Sequence, residues 1–140
     1  MTDERKLEYS LGLHEELSKN YRLISNLVLV CIRKGLKLVI ENPVNQPHYL
    51  SLYWPIKPKI IDNDRTERGD YYKKPTQFFC IGFEPLNNII FELMEYVETR
   101  NIERQKNDFG KDRQTLRSEI HPQYANRFIR EHILDVDLWN

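Results

Sequence analysis

Two cysteines and five glycines are few for a chain of 140 residues, and each scarcity excludes a class of chemistry. Cys31 and Cys80 are too few and too far apart for a disulfide framework, and neither belongs to a CxxC pair, which argues against a thiolate zinc site. The five glycines form no GxG cluster, so no glycine-rich phosphate or dinucleotide loop can be drawn. Long apolar runs are also missing. MTDERKLEYS has no signal-peptide core and no segment approaches a bilayer span, so a reduced, cytoplasmic location with no membrane partner is expected. Net charge is absent too, with Lys+Arg 21 against Asp+Glu 21, which removes any overall pull toward nucleic acid while leaving room for a local basic face. No His/Cys/Asp/Glu set has metal-ligand spacing, no Ser-His-Asp arrangement can be argued, and no internal repeat or second domain is visible.

What is present is a folded chain with eight tyrosines and six phenylalanines, long enough for one domain with a usable core. Leu7, Leu11, His14, Leu17, Tyr21, Ile24, Val28 and Cys31 recur at three- and four-residue steps and predict a helix over 3–34 with this stripe turned to the core. Thr2 or Asp3 caps its start, and Arg33-Lys34-Gly35 stops it. LVLVCI, residues 27–32, is apolar nearly all round and predicts burial on both sides.

Leu36–Ile40 reads as a strand joined to the helix by a tight turn, half of a βαβ unit, from which a parallel sheet is expected. A short helix is predicted over 46–54, a strand over 59–62, and a central, aromatic strand over 76–83. Residues 62–75 read as a solvated, charge-dense loop or, as the alternative, a DNA-facing one carrying Arg65, Arg68, Lys73 and Lys74 with Tyr71 and Tyr72 to stack. Residues 84–119 read as irregular, with an extended or short helical piece at 88–97 and a mobile loop at 98–119. A last helix is predicted over 121–134, with Pro122 in its first turn and Tyr124, Phe128, Ile129 and Ile133 on one face. His14 is expected as a core histidine, His48 on a surface helix or lining a cleft after Pro43, and His121 as a helix cap. Val136, Leu138 and Trp139 are expected to dock on the domain or on a neighbour.

Three short segments stand out: IENP at 40–43, where an apolar strand ends in an acid, an amide and a proline; YYKKPTQFF at 71–79; and LRSEIHPQYANRFI at 116–129. In this order and spacing they resemble the C-terminal part of the DNA cytosine methyltransferases of phages and mobile elements. The resemblance covers nearly the whole chain. It implies an α/β fold, a partial Rossmann-like, methyltransferase-type sheet with flanking helices, lacking the N-terminal cofactor-binding half. It makes Glu41 similar to the glutamate that contacts the target cytosine. Attack at C6 of cytosine needs N3 protonated or strongly hydrogen-bonded, which a carboxylic acid in a dry pocket supplies once the base has left the stack. Asn42 and Pro43 would shape the turn around the flipped base. Tyr71, Lys73, Lys74, Thr76, Arg117 and Ser118 would hold DNA phosphate, stack, or meet a base edge.

The same resemblance marks what the chain leaves out. These enzymes use a cysteine beside a proline and a glycine-rich S-adenosylmethionine turn, whereas Cys31 and Cys80 read as core residues. The expectation is therefore a truncated or split protein that contributes DNA recognition without acting alone. S-adenosylmethionine would enter only with a separate N-terminal half. The alternative expectation is a non-enzymatic, homodimeric DNA- or protein-binding module that buries an uncovered edge strand.

Overall fold

The structure, a computed structural model, describes residues 1–44, 54–100 and 113–135. The chain opens with α1, Asp3–Arg33, which starts where Thr2 accepts the Arg5 amide at 3.3 Å and has Asp3 and Glu4 in its first turn. The helix stops at Lys34–Gly35 as its sequence suggests, and the chain passes into β1, Leu38–Pro43.

The sheet has three strands in the order β1-β3-β2, where β2 is Ile60–Asp62 and β3 is Thr76–Ile81. Every position of β3 is buried, which fits its near-continuous apolar sequence and its central place. Alternation along β3 sends Phe79 and Ile81 to one face, where they cluster with Val28 of α1 and with Trp54. The Trp54 and Phe79 rings meet edge-on at 5.5 Å. Phe78 points to the other face and lies 4.4 Å from Phe128 of α3, Pro122–His132. A short helix, α2 (Arg113–Ser118), precedes α3, and Leu116 on it is buried. The molecule is thus a mixed α/β layering: α1, a small sheet, then α3.

Both strand pairs are antiparallel, which corrects the parallel sheet expected from the sequence. A helix followed by a strand fixes only that connection. The strand paired with β1 arrives 32 residues further on, by a route that brings it back in the opposite direction. No Rossmann-like order exists among the described strands.

Two expectations for α1 also change. Tyr21, Ile24, Val28 and Cys31 do face the core, but Leu7, Leu11, His14 and Leu17 are exposed. Within 27–32, Leu27, Leu29, Val30 and Ile32 are exposed rather than buried on two sides. The reason is length: at 1.5 Å per residue the helix runs about 46 Å, far beyond what a three-stranded sheet can cover. From Met1 to Asn20 every residue is exposed except half-buried Ser10.

The charge-dense segment 62–75 is not simply solvated. It contains a 3-10 turn, Arg65–Arg68, and buries Arg65, Asp70 and Tyr72, because the charges pair with one another. Residues 84–97 have no regular secondary structure and are fastened to α3 by Leu86 N–H to His132 O at 2.8 Å and Asn88 N–H to Glu131 O at 2.9 Å. Within the stretch expected as a mobile loop, Arg113–Ser118 are helical, while 101–112 lie outside the described residues. So do the predicted 46–54 helix except for buried Trp54, His48, and the apolar tail from Val136 to Trp139. Cys31 and Cys80 are both buried, as core residues should be.

Candidate functional site

The antiparallel register of β1 on β3 sets Glu41 opposite Phe78, Asn42 opposite Gln77 and Pro43 opposite Thr76. The IENP and KKPT segments are therefore neighbours in space. Side chains alternate across a sheet, so Glu41 lies on the α3 face with Phe78, and Asn42 lies on the α1 face with Gln77. The acid and the amide cannot meet one small ligand from the same side. Asn42 and Gln77 are buried, and Gln77 Nε2 reaches Pro43 O at 3.4 Å.

Glu41 is half-buried between two cations: its Oε1 lies 3.5 Å from Lys74 Nζ and 3.8 Å from Arg65 Nη1. Arg65 is only 1% exposed and is held by the Asp70 carboxylate, Nε to Oδ2 at 2.7 Å with Nη2 on the same oxygen. Its guanidinium also lies 4.9 Å from the centre of the Tyr124 ring. A buried guanidinium needs this many partners to offset its desolvation.

Asp70 carries the connection onward. Its Oδ1 accepts the backbone N–H of Tyr71 at 2.7 Å and that of His121 at 2.9 Å. His121 in turn caps α3, its Nδ1 accepting from Gln123 N at 2.9 Å, which is the capping role its position before Pro122 suggested. Gly69, at φ 83°, makes the turn possible: a Cβ there would sit 2.1 Å from Gln123 Nε2. A second buried link runs beside the first. Tyr124 donates its hydroxyl to Asp62 Oδ2 at 2.8 Å, and Asp62 Oδ1 accepts from Arg68 at 3.1 Å. Burial, then the bond to the Asp62 carboxylate, pushes the Tyr124 hydroxyl far above its ordinary range, so it remains a donor.

The remaining expected site residues separate into two groups. Lys73 is exposed, 3.8 Å from Asp64, and Lys74 is half-buried beside Glu41, so both stand where a phosphate could approach. Thr76 is fully buried and donates its hydroxyl to Lys74 O at 2.7 Å, which makes it a brace for the lysine rather than a contact for DNA. The Tyr71 ring has the Arg100 guanidinium 3.6 Å from its centre and His121 at 4.9 Å, so its stacking surface is already occupied. Ser118 donates to Thr115 O at 2.8 Å within α2, and the side chain of Arg117 lies outside the described residues.

The sequence places Arg65 and Asp70 in a charge cluster read as a solvated or DNA-facing loop, not as the buried hub of the site. Their signal was faint: Asp64-x-Thr66 is a turn-capping pattern, and Gly69 closes the turn that brings residue 65 back onto residue 70.

As for chemistry, burial pushes the Cys80 thiol above its ordinary value, and Cys31 is buried as well, so neither cysteine of the chain is placed as a nucleophile. The glycines with positive φ, Gly35, Gly69 and Gly82, are scattered and make no loop fit for a methyl donor. Among the described residues no group of His, Cys, Asp and Glu could hold a metal, and no helix is long and apolar enough to cross a membrane. Two open clefts among the described residues measure about 440 Å³ beside Glu92, His121 and Arg127 and about 340 Å³ beside Arg68, Asn88 and Glu131. What the arrangement offers is a polar, ion-paired face able to accept a hydrogen bond at Glu41 and attract an anion at Lys73 and Lys74. No family model matches the chain, and neither a curated protein nor a solved structure does.

Proposed function

We propose that this chain supplies a DNA-recognition face of the cytosine-methyltransferase kind, centred on Glu41, and that methyl transfer requires a second chain carrying the nucleophile and S-adenosylmethionine. The observation that carries the reading is convergence. The three segments that bear the resemblance are far apart in sequence, yet Glu41 reaches Lys74 and Arg65, and Asp70 beside Tyr71 ties Arg65 to His121. In this reading Glu41 accepts from the exocyclic amino group of an unstacked cytosine while Lys73 and Lys74 meet the flanking phosphates. Asn42 and Pro43 act through the backbone turn that ends β1.

The test is fluorescence anisotropy with two labelled DNA duplexes, one fully paired and one with a single unpaired cytosine. Salt-sensitive binding in the range of about 10⁻⁴ to 10⁻⁶ M is expected for both, with a preference for the unpaired cytosine. Glu41→Gln should abolish the preference and keep the salt-sensitive part. Lys73→Ala with Lys74→Ala should weaken binding to both duplexes. Absence of DNA binding, or a preference untouched by Glu41→Gln, rejects the proposal.

A second reading, a non-enzymatic homodimeric module, is favoured by a different observation. Both cysteines are enclosed, and among the described residues β1 and β2 are the edge strands of the sheet, the kind of edge that can pair with another strand.

A further inference from the structure

The first half of α1 leaves the domain with apolar side chains still along it. Beside the face that packs on the sheet, a separate stripe runs Tyr9, Leu13, Glu16, Asn20, Leu23, Leu27, Val30, alternating four- and three-residue steps as a coiled-coil seam does. Its apolar members are all exposed, Leu23 at 71% and Tyr9 at 64%. The stripe is apolar at both ends and polar at Glu16 and Asn20, near its middle.

Charge along the helix is divided by half. Through Glu16 it carries Asp3, Glu4, Glu8, Glu15 and Glu16 against Arg5 and Lys6, and from Leu17 to Lys34 it carries Lys19, Arg22, Arg33 and Lys34 with no acid. The helix dipole accounts for charges in the first and last turns only. Glu15, Glu16, Lys19 and Arg22 lie in the middle, where the dipole gives no reason for the order. A second helix of the same sequence running the opposite way does.

We propose that α1 pairs antiparallel with α1 of a second copy about a two-fold axis near Asn20. Turning the helix end for end about that point sets Leu13 level with Leu27, Tyr9 within one residue of Val30, Glu16 within one residue of Leu23, and Asn20 against its own copy. Glu8 falls within one residue of Arg33 of the second copy, and Glu15 within a turn of its Arg22. Apolar ends and opposite charges that meet under a two-fold fit a second copy of the chain. A parallel pair would instead set acid beside acid along the first half. The surface is separate from the Glu41 site and does not depend on the function proposed for that site.

Sedimentation equilibrium of the full chain tests this. Wild-type protein should sediment at twice the 16.9 kDa chain mass at micromolar concentration and loosen as salt rises. Leu23→Glu, on the stripe, should give monomer with its helix content by circular dichroism unchanged. Leu29→Glu, on the opposite flank and also exposed, should stay dimeric. Asn20→Cys should form an intermolecular disulfide on mild oxidation and Leu13→Cys should not, since only the residue at the axis meets its own copy within disulfide reach. A monomer at every concentration, a dimer indifferent to Leu23→Glu, or equal cross-linking at Leu13→Cys overturns the proposal.

Discussion

The Asp70 carboxylate joins two distant parts of the chain, holding buried Arg65 through Oδ2 at 2.7 Å and the backbone N–H of His121 through Oδ1 at 2.9 Å. Removing it leaves the buried guanidinium with only the more distant Glu41 carboxylate at 3.8 Å and detaches the start of α3. Asp70→Ala is therefore expected to cost about 3–5 kcal/mol. The urea midpoint checks this, and a loss below 1 kcal/mol on the scale of exposed ion pairs would deny Asp70 this role.

Tyr124 predicts a pH dependence. Its hydroxyl titrates above the ordinary value of 10.0 because burial and the Asp62 bond favour the neutral form. The unfolded chain thus loses this proton first, and above pH 10 the unfolded state binds fewer protons than the folded one. Stability from this group is full below about pH 10 and declines as pH rises beyond it. Tyr124→Phe should cost about 1.5–3 kcal/mol at neutral pH and flatten the alkaline decline. Chemical denaturation at pH 7 and above pH 10 measures both.

Two glycines should respond in opposite ways to alanine. Gly82 has φ 79°, and a Cβ there would lie 2.5 Å from the Leu36 carbonyl oxygen, a backbone atom with little freedom to move. Gly82→Ala is expected to destabilise by at least about 2 kcal/mol. Gly12 lies in α1 with nothing within 4 Å of its added Cβ, so Gly12→Ala should raise helix content, favouring the helix by about 1 kcal/mol. Circular dichroism melts of the two variants separate these effects.

The pair of exposed Glu92 with half-buried Arg130 should matter locally. Both carboxylate oxygens of Glu92 lie 2.6 Å from Arg130 nitrogens, and the hydrogen bonding holds its carboxyl below the ordinary range. A lowered acid contributes above its ordinary pKa and loses that contribution as pH falls through the folded-state value. Acidification should release the 84–97 segment near Glu92 before the sheet melts, and Glu92→Gln should do so at neutral pH. Amide exchange of Leu86 and Asn88 against that of β3 reads the difference.

Legibility in the sequence followed the number of faces a segment must bury. Thr76–Ile81 is buried on both, and its aromatic run announced a central strand. Helix α1 was equally clear in its period, its Thr2 cap and its stop. Its stripe could not say how much sheet lay beneath, so Leu7 and Leu11 were expected inside and are outside. Strand direction was hidden because the turn from α1 to β1 carries no information about β3. Arg65 and Asp70 were hidden for a different reason: mixed charge has the same composition whether water or a partner satisfies it. The separation of Glu41 from Asn42 onto two faces was legible, since period-two alternation requires it.

The long reach of α1 also decides where the chain is cut first. A helix of about 18 residues with none of the described residues packed beneath it gains little from tertiary packing, so it opens often. Trypsin should enter at Lys19 and Arg22 before any site in the sheet layer. The surviving fragment would keep Ile24, Val28 and Cys31 on the core and lose the outer turns. Where two copies pair, the same bonds are covered, and resistance to the protease should climb with protein concentration.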